Sequence, residues 1–197
     1  MLLYNSAVSG NCYKVRLLFS HLGIEYEKRE LSVIDRSNRR EVLGELNPAL
    51  RVPTLVFDDG RSLGESNAII CYFAEGTEYL PEDRFARAQV LQWLFFEQYS
   101  HEPYIAVARF WRIAGITPPP AELEAKQRGG EAALRALEGH LTDHSFLVED
   151  RYTIADIALY AYTHVAPEGG FELEPYPAIS AWLARVVTQP GHIAITD

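Results

Sequence analysis

Residues 51–76, RVPTLVFDDGRSLGESNAIICYFAEG, contain the pattern that decides the fold of the first part of this chain. Two short apolar runs flank Asp59-Gly60, and this pair between two runs is a strong signal for a β-hairpin. Gly64-Glu65-Ser66-Asn67 then begins a helix, which carries apolar residues at 69–73 and ends at Gly76. The segment therefore predicts two antiparallel strands followed by a helix.

The residues before this segment predict further strands and helices of the same domain. Residues 2–4 form a short buried strand, and a turn-rich loop leads into a helix that ends at Gly23. Residues 24–31 predict a more polar strand, and residues 36–46 are weakly helical. The predicted order is β-α-β-α-β-β-α, in which the helix between the first two strands makes them a right-handed parallel pair.

The strand signals stop after residue 76, and the rest of the chain predicts helices. Residues 84–114 read as one long helix with a kink at Pro103, since proline interrupts the hydrogen bonds of a helix interior. Further helices are predicted over residues 121–141, 153–165 and 177–187. We therefore expect an α/β domain over residues 1–76, a linker over 77–84 and an all-α domain over 85–197.

The charge of the chain is uneven, and it excludes some partners. The 197 residues carry a formal net charge of −9, with 9 basic and 10 acidic groups in residues 1–76 and 9 basic and 17 acidic groups in residues 77–197. The acidic second part repels a polyanion, so we expect no nucleic-acid partner. No apolar run approaches the ~18 residues that a membrane-spanning helix needs. The first residues show no signal-peptide pattern, so we expect a cytoplasmic protein with no membrane partner.

Cysteines and histidines give no support for a disulfide framework or a metal site. The chain has two cysteines, Cys12 and Cys71, and its six histidines are spread along the sequence. Two cysteines make neither a disulfide scaffold nor a zinc site. We therefore expect no bound metal.

Ser9-Gly10-Asn11-Cys12 lies where the first helix begins, and it is the first candidate for chemistry. The free N–H groups and the positive dipole end of a helix N-terminus stabilise an anion. A Ser9 hydroxyl that donates to a thiolate would lower the pKa of that thiol, and a shift of ~2 units needs about 2.7 kcal/mol. The alternative is that Ser9 only caps the helix. Cys12 is a rival nucleophile, although a small buried side chain is its more ordinary role.

Two further polar segments suggest ligand contacts, and a third suggests a structural cap. Arg51-Val52-Pro53 begins a strand. Because Pro53 has no N–H, the backbone of the preceding residue, Val52, is available to a ligand. Glu65-Ser66 begins another helix, where Ser66 suits a ligand carboxylate and Glu65 an ammonium group. Together they suit an amino-acid zwitterion. Thr153-Ile154-Ala155-Asp156 is a capping box, which indicates a structural role for Asp156.

Taken together, these motifs resemble the cytosolic glutathione transferase family over essentially the whole chain. The resemblance rests on Ser9-Gly10-Asn11-Cys12-Tyr13-Lys14-Val15-Arg16, Asn47-Pro48 with Arg51-Val52-Pro53, Glu65-Ser66-Asn67-Ala68-Ile69 and Thr153-Ile154-Ala155-Asp156-Ile157. It implies a thioredoxin-like first domain, an all-helical second domain, glutathione as a cosubstrate without a bound cofactor, and a homodimer. The family often has glycine where Leu50 stands, which is a departure.

The resemblance also implies a role for each matched residue. Ser9, and in some bacterial classes Asn11, would hold the glutathione thiolate. The Val52 backbone would pair with the cysteinyl unit beside a cis Pro53. The other expected contacts are the γ-glutamyl group with Glu65 and Ser66, and the glycine carboxylate with Arg51. A cysteine mechanism would need Cys12 at a different position, and Tyr4 does not clearly match the tyrosine that some classes use.

An acceptor pocket for an apolar electrophile is expected between the domains. Tyr104, Ala108 and Trp111 lie on one predicted helix face and would line it, although Trp111 fits a core position equally well. The first hypothesis is thus a glutathione transferase. The alternatives are a glutathione-dependent disulfide reductase or peroxidase in which Asn11 dominates, and a non-catalytic interaction protein on the same scaffold.

Overall fold

The computed structural model describes residues Met1–Asp197 and divides into two units. The first unit contains Met1–Glu75 together with Pro190–Asp197, and the second contains Gly76–Gln189. The sequence placed the end of the chain in the helical domain, and this assignment is corrected for residues 190–197. The segment expected to be a linker belongs to the second unit.

The first unit has the predicted order of strands and helices. Its elements are β1 Leu2–Asn5, α1 Gly10–Leu22, β2 Glu27–Glu30, α2 Arg39–Leu43, β3 Thr54–Val56, β4 Ser62–Gly64 and α3 Ser66–Ala74. The four strands form one sheet in the order β2-β1-β3-β4. β1 and β2 are parallel, whereas β3 is antiparallel to both β1 and β4. The thioredoxin-like βαβαββα domain with a mixed sheet is therefore confirmed.

Alternation along β1 places its side chains on both faces of this sheet. Leu3 is fully buried and lies opposite Leu55 of β3, which is also fully buried. The next residue, Tyr4, belongs to a separate buried cluster with Leu31 and Leu43. Since successive side chains of a strand point to opposite faces, both faces of the sheet carry a core.

β2 and α2 are shorter than their sequence patterns suggest. β2 covers only Glu27–Glu30 and every one of its residues is exposed, as fits an edge strand. α2 covers only Arg39–Leu43, and its N-terminus has no side-chain cap. The absence of an apolar stripe and of a cap explains why the helical signal there is weak.

The second unit is all-helical, as predicted. Its helices are α4 Arg84–Phe96, α5 Glu102–Ile113, α6 Pro120–Leu141, α7 Ile154–Thr163 and α8 Pro177–Val187. A π-helical segment, Glu97–His101, joins α4 to α5, and a 3₁₀ turn, Ala166–Gly169, follows α7. The long helix expected over residues 84–114 is thus interrupted by the π-helical segment before Pro103, and the proline is accommodated in the first turn of α5.

Helix α7 is the buried centre of the second unit. All of its residues, Ile154–Thr163, are buried, and Thr153 and Asp156 form the capping box that the sequence indicated. Asp156 also accepts hydrogen bonds from Leu147 N and Trp182 Nε1 at 3.1 and 3.0 Å, so it ties α7 to α8. Among the helices described, none combines the length and the apolar character needed to cross a membrane.

Candidate functional site

Three loops meet at one end of the sheet of the first unit. The register aligns Tyr4 of β1 with Thr54 of β3, and Thr54 in turn with Gly64 of β4. Because β3 is antiparallel to both neighbours, the loop that enters β3 lies beside the loops that leave β1 and β4. These three loops and the first turns of α1 and α3 that follow two of them carry the predicted site residues of this unit, which are Ser9, Asn11, Arg51, Val52, Pro53, Glu65 and Ser66.

Ser9 lies at the start of α1 and caps this helix. Its backbone is extended, with φ −82° and ψ 119°, and its Oγ accepts the N–H of Cys12 at 3.3 Å. The side chain is half-buried. The capping role that the sequence offered is therefore present, and the same hydroxyl stands where the helix dipole favours an anion.

Cys12 is buried within the first unit, with 0% of its surface exposed. Burial raises the pKa of its thiol to about 11, against the opposing effects of hydrogen bonds from Ser9 and Ser6 and the charge of Arg16. A thiol with such a pKa stays protonated at neutral pH and is a poor nucleophile. The structure thus gives the expected ordinary role to Cys12, that of a small core side chain.

The loop that enters β3 has an unusual backbone. The Val52–Pro53 peptide bond is cis, as the resemblance implied, and Leu50 has a φ of 55°. This left-handed conformation disfavours residues with a side chain, which explains why glycine suits the position. The loop keeps this conformation with leucine in place, and Leu50 packs against the buried cluster that includes Tyr4.

Asn47 holds this loop in place, a role that the sequence did not reveal. Its Nδ2 donates to the Arg51 carbonyl at 3.2 Å and to Thr54 Oγ1 at 2.9 Å. Gly64 makes room for it, since a Cβ there would come within 2.8 Å of Nδ2. Val52 takes part in none of the backbone hydrogen bonds of the loop, so its N–H and carbonyl are available to an extended ligand. The only sequence signal was the Asn47-Pro48 pair.

Glu65 and Ser66 lie where α3 begins, and they differ in exposure. Glu65 is exposed, has a φ of 62° and makes no capping hydrogen bond. Ser66 is buried, and its Oγ donates to Asn11 Oδ1 at 3.1 Å. The structure therefore joins two residues that the sequence named separately. Arg51 is exposed on the loop that enters β3.

A buried lysine completes this contact and was not a predicted site residue. Lys14 Nζ lies 3.4 Å from Ser66 Oγ and 3.3 Å from Asn67 Oδ1. Lysine is ordinarily exposed, so a sequence pattern gives little reason to expect it beneath a helix terminus. Asn11, Lys14, Ser66 and Asn67 are called the α1–α3 polar cluster below.

The three residues expected to line an acceptor pocket all lie on α5. The Tyr104 ring packs against Gly129 of α6, where a Cβ would clash with the ring. Lys126 Nζ lies 5.4 Å from the ring centroid. Ala108 is buried and Trp111 is half-buried. Tyr104 thus packs against α6, and the pocket role of all three residues stays a prediction.

The histidines are not all scattered, contrary to the expectation from the sequence, because one pair has the HxxxH spacing that occurs in metal sites. His140 and His144 are four residues apart and their rings stack with centroids 4.5 Å apart. His144 Nδ1 lies 3.6 Å from Asp150 Oδ1. No group of three or more His, Cys, Asp or Glu side chains comes together in a way that could hold a metal ion.

Comparison with known proteins agrees with this geometry. A glutathione S-transferase N-terminal domain family matches residues 3–78, and a glutathione S-transferase C-terminal domain family matches residues 88–190. Each match covers one of the two kinds of domain described above, and together they span most of the chain. The chain belongs to the cytosolic glutathione S-transferase family.

Individual relatives are similar over nearly the full chain. A crystal structure of a glutathione S-transferase from Pseudomonas fluorescens is 45% identical with a TM-score of 0.94, over 100% of this chain and 98% of that one. Glutathione S-transferase 2 of Anopheles gambiae is 30% identical over 93% of this chain and 88% of its own. The disulfide-bond oxidoreductase YfcG of Escherichia coli is 26% identical over 94% and 89%.

Proposed function

We propose that this protein is a glutathione transferase that activates the glutathione thiol for attack on a small apolar electrophile. Ser9 donates its hydroxyl to the thiolate at the positive end of α1. Val52 pairs through its backbone with the cysteinyl unit, and Glu65 and Ser66 bind the γ-glutamyl end. Glutathione is the cosubstrate, and the chemistry needs no bound metal or cofactor. The setting is cytoplasmic detoxification.

Two further groups need binding partners in this proposal, which are the glycine carboxylate of glutathione and the electrophile. Arg51 is exposed on the loop that enters β3 and is suited to the glycine carboxylate of glutathione. Tyr104, Ala108 and Trp111 are the proposed contacts of the electrophile.

The observation that carries this proposal is the row Tyr4–Thr54–Gly64 across the sheet. This row brings three features to the same end of the sheet. They are an anion-stabilising helix start, an open backbone at Val52 and an exposed carboxylate at Glu65. A tripeptide with a thiol in its middle and an ammonium group at one end matches that order of partners.

Calorimetry with glutathione tests the proposal directly. We expect the wild-type protein to bind at millimolar concentration or below, and Glu65→Gln to bind about tenfold more weakly because the ammonium group loses its partner. Glu27→Gln, an equal change on the exposed strand β2, is the matched control and keeps wild-type affinity. Wild-type protein that shows no binding at several millimolar glutathione would refute the proposal.

A second candidate function is disulfide reduction or peroxide reduction by glutathione, with Asn11 as the dominant residue. One observation favours it, which is the similarity to a bacterial disulfide-bond oxidoreductase, 26% identical over 94% of this chain. Turnover of an aryl halide and of a small disulfide, measured with Asn11→Ala and Ser9→Ala, separates the two reactions. The transferase proposal requires conjugation that depends on Ser9.

A purely non-catalytic interaction protein is the third possibility, and it is disfavoured. A protein that only binds partners through its surface has no need of Ser9, Arg51, Glu65 and Ser66 at one end of the sheet. Saturable conjugation by the wild-type protein would exclude this possibility.

We also place the protein in a homodimer, with residues 60–75 of one chain against the region near residues 93–98 of another. Exposed apolar residues support this surface: Tyr72 on α3, and Phe85, Leu91, Phe95 and Tyr99 along α4 and the π-helical segment. Leu91, Phe95 and Tyr99 recur every fourth residue and form one helix face. Trp93, within the same stretch of α4, is instead buried and donates to the Leu147 carbonyl at 3.1 Å.

Sedimentation tests the dimer. Wild-type protein is expected at twice the 22.3 kDa chain mass at micromolar concentration, and Phe95→Glu at the chain mass. Leu123→Glu changes an exposed apolar residue on α6 and is expected to leave the mass unchanged. A wild-type species of single-chain mass contradicts the dimer.

A further inference from the structure

The α1–α3 polar cluster contains a fully buried cation at the start of α3. Lys14 has 0% of its surface exposed, although it lies on α1 one turn after Asn11. Its Nζ contacts oxygen atoms of the first two residues of α3, at 3.4 Å for Ser66 and 3.3 Å for Asn67. Removing an ammonium group from water costs free energy, so the burial of Lys14 lowers the stability of the fold. A role in binding would explain why a lysine occupies this position.

The chemistry of Lys14 determines how its neighbours point their hydrogen atoms. An ammonium group donates three hydrogen bonds and accepts none. The Ser66 oxygen that faces Lys14 must therefore accept, and the hydroxyl hydrogen must point to another acceptor. In the same way Asn67 turns its oxygen toward Lys14, which leaves its Nδ2 hydrogens directed elsewhere.

In the structure the Ser66 hydroxyl uses the Asn11 Oδ1 atom as that acceptor, at 3.1 Å. A carboxylate that arrives at the start of α3 offers a stronger, charged acceptor for the same hydrogen. Two oriented donors and a positive charge behind them form an arrangement that suits an anion and disfavours an ammonium group.

We propose that Lys14 is a positioning residue for the α-carboxylate of the γ-glutamyl unit of glutathione. It does not touch the ligand, since it is fully buried; it acts by orienting Ser66 and Asn67 as donors and by placing positive charge behind α3. This inference rests on the proposed binding of glutathione. It adds a residue on α1 to the part of the site that recognises the γ-glutamyl end.

A comparison of two ligands on the same variants tests this role. Glutathione is compared with γ-aminobutyryl-cysteinylglycine, which lacks only the α-carboxylate, by calorimetry on wild type and Lys14→Met. We expect Lys14→Met to weaken glutathione binding about tenfold and binding of the analogue by less than about twofold. In turnover, we expect a higher KM for glutathione with kcat almost unchanged, since the lost interaction exists before the transition state.

Controls separate this role from general damage to the fold. Lys28→Met removes an equal charge from the exposed face of β2 and is expected to leave both affinities unchanged. A loss of folded Lys14→Met protein reduces binding of both ligands by the same factor, so the ratio of the two affinities remains interpretable. Thermal unfolding measures that loss separately.

The outcomes distinguish this inference from the proposed function. Equal weakening of both ligands by Lys14→Met, or no weakening of either, overturns the role of Lys14 while glutathione binding by wild type stands. Wild-type protein that binds neither ligand overturns the proposed function and the inference with it. A tenfold loss that disappears with the decarboxylated analogue supports both.

Discussion

The Tyr13 hydroxyl donates a hydrogen bond of 2.6 Å to the backbone carbonyl of Ile193, which joins the first helix to the end of the chain. Ser20, two turns further along α1, donates to the Gly191 carbonyl at 2.7 Å. The C-terminal residues 190–197 are therefore part of the first unit through hydrogen bonds to α1. Helix α1 also carries Ser9 at its start, so the tail supports the element on which the site depends.

The tail also reaches the loop before Ser9 through one guanidinium group. Arg16 donates to Asn5 Oδ1 at 2.7 Å and to the Ala7 carbonyl at 3.2 Å, and it donates to the Ile195 carbonyl as well. Asn5 is the last residue of β1, and Ala7 lies in the segment that leads from β1 to Ser9. The position of this segment is thus coupled to the presence of the tail.

We expect Tyr13→Phe to lower the free energy of unfolding by about 1 kcal/mol, because the short hydrogen bond to the Ile193 carbonyl and the longer contact with His192 are lost. A chain that ends at Gln189 should lose more, and in that chain Tyr13→Phe should have almost no further effect. Urea denaturation of the four proteins measures this as a double-mutant cycle. Equal effects of Tyr13→Phe in the long and short chains would show that the hydroxyl does not act through the tail.

Ser9→Ala should raise the pKa of glutathione bound to the protein and slow conjugation by roughly 10- to 100-fold, or about 1.4–2.7 kcal/mol. The reason is that the hydroxyl donates to the thiolate and therefore stabilises only the charged form. Ultraviolet titration of the bound thiolate measures the pKa. Ser37→Ala, a change in an exposed loop of the same unit, is the control.

The assignment to Ser9 has two rivals in the same segment. If Ser9→Ala keeps the wild-type thiolate pKa while Asn11→Ala shifts it, the results favour the disulfide-reductase proposal over the transferase proposal. A shift caused by Cys12→Ser would instead indicate a cysteine mechanism, against its burial.

Local pattern predicted the order of elements in this protein and the helix starts on which the candidate site is built. The hairpin at Asp59-Gly60 and the cap at Ser9 are determined by residues close in sequence, so short patterns reveal them. Lys14 and Asn47 act through contacts between separate elements. The residue type alone, lysine or asparagine, does not indicate such contacts, because the partners are distant in sequence.

The contacts of the tail are the clearest case of what the sequence does not show. Residues 190–197 follow the last helix and present backbone carbonyls to α1, and a carbonyl has the same chemistry in every residue. No composition or periodicity marks such a partner. The assignment of these residues to the helical domain was therefore wrong.

The two cysteines should differ sharply in reactivity with an aromatic disulfide reagent at pH 7–8. Cys71 is half-buried on α3, within the segment proposed for the dimer surface, and is expected to react in the native protein at concentrations low enough for the chains to separate. Cys12 is buried and its pKa is raised to about 11, so it should react only after unfolding. A rapid reaction that persists in Cys71→Ser would contradict this, whereas Cys12→Ser should keep the rapid reaction.

Asp156 should make the stability of the protein depend on pH between about 4 and 6. Burial raises the pKa of its carboxyl to about 6, although Thr153, Leu147 and Trp182 all donate to it. In this pH window the folded protein holds a proton that the unfolded chain releases. The unfolding free energy therefore falls as the pH rises, by about 3 kcal/mol for a shift of ~2 units, and it is greatest below the pKa of the unfolded chain.

Comparison with Asp156→Asn isolates this contribution, because the amide does not titrate. Urea denaturation between pH 4 and 7.5 should show a decline for the wild type that is absent in Asp156→Asn, while all other titrating groups are shared. The variant should also be less stable than wild type at pH 7 by about 2–4 kcal/mol, since its Nδ2 would face donors that the carboxylate accepts from. Parallel pH profiles for the two proteins would mean that Asp156 has an ordinary pKa in the folded state. The hydrogen bonds from Leu147, Thr153 and Trp182 would then fully offset the effect of its burial on the pKa.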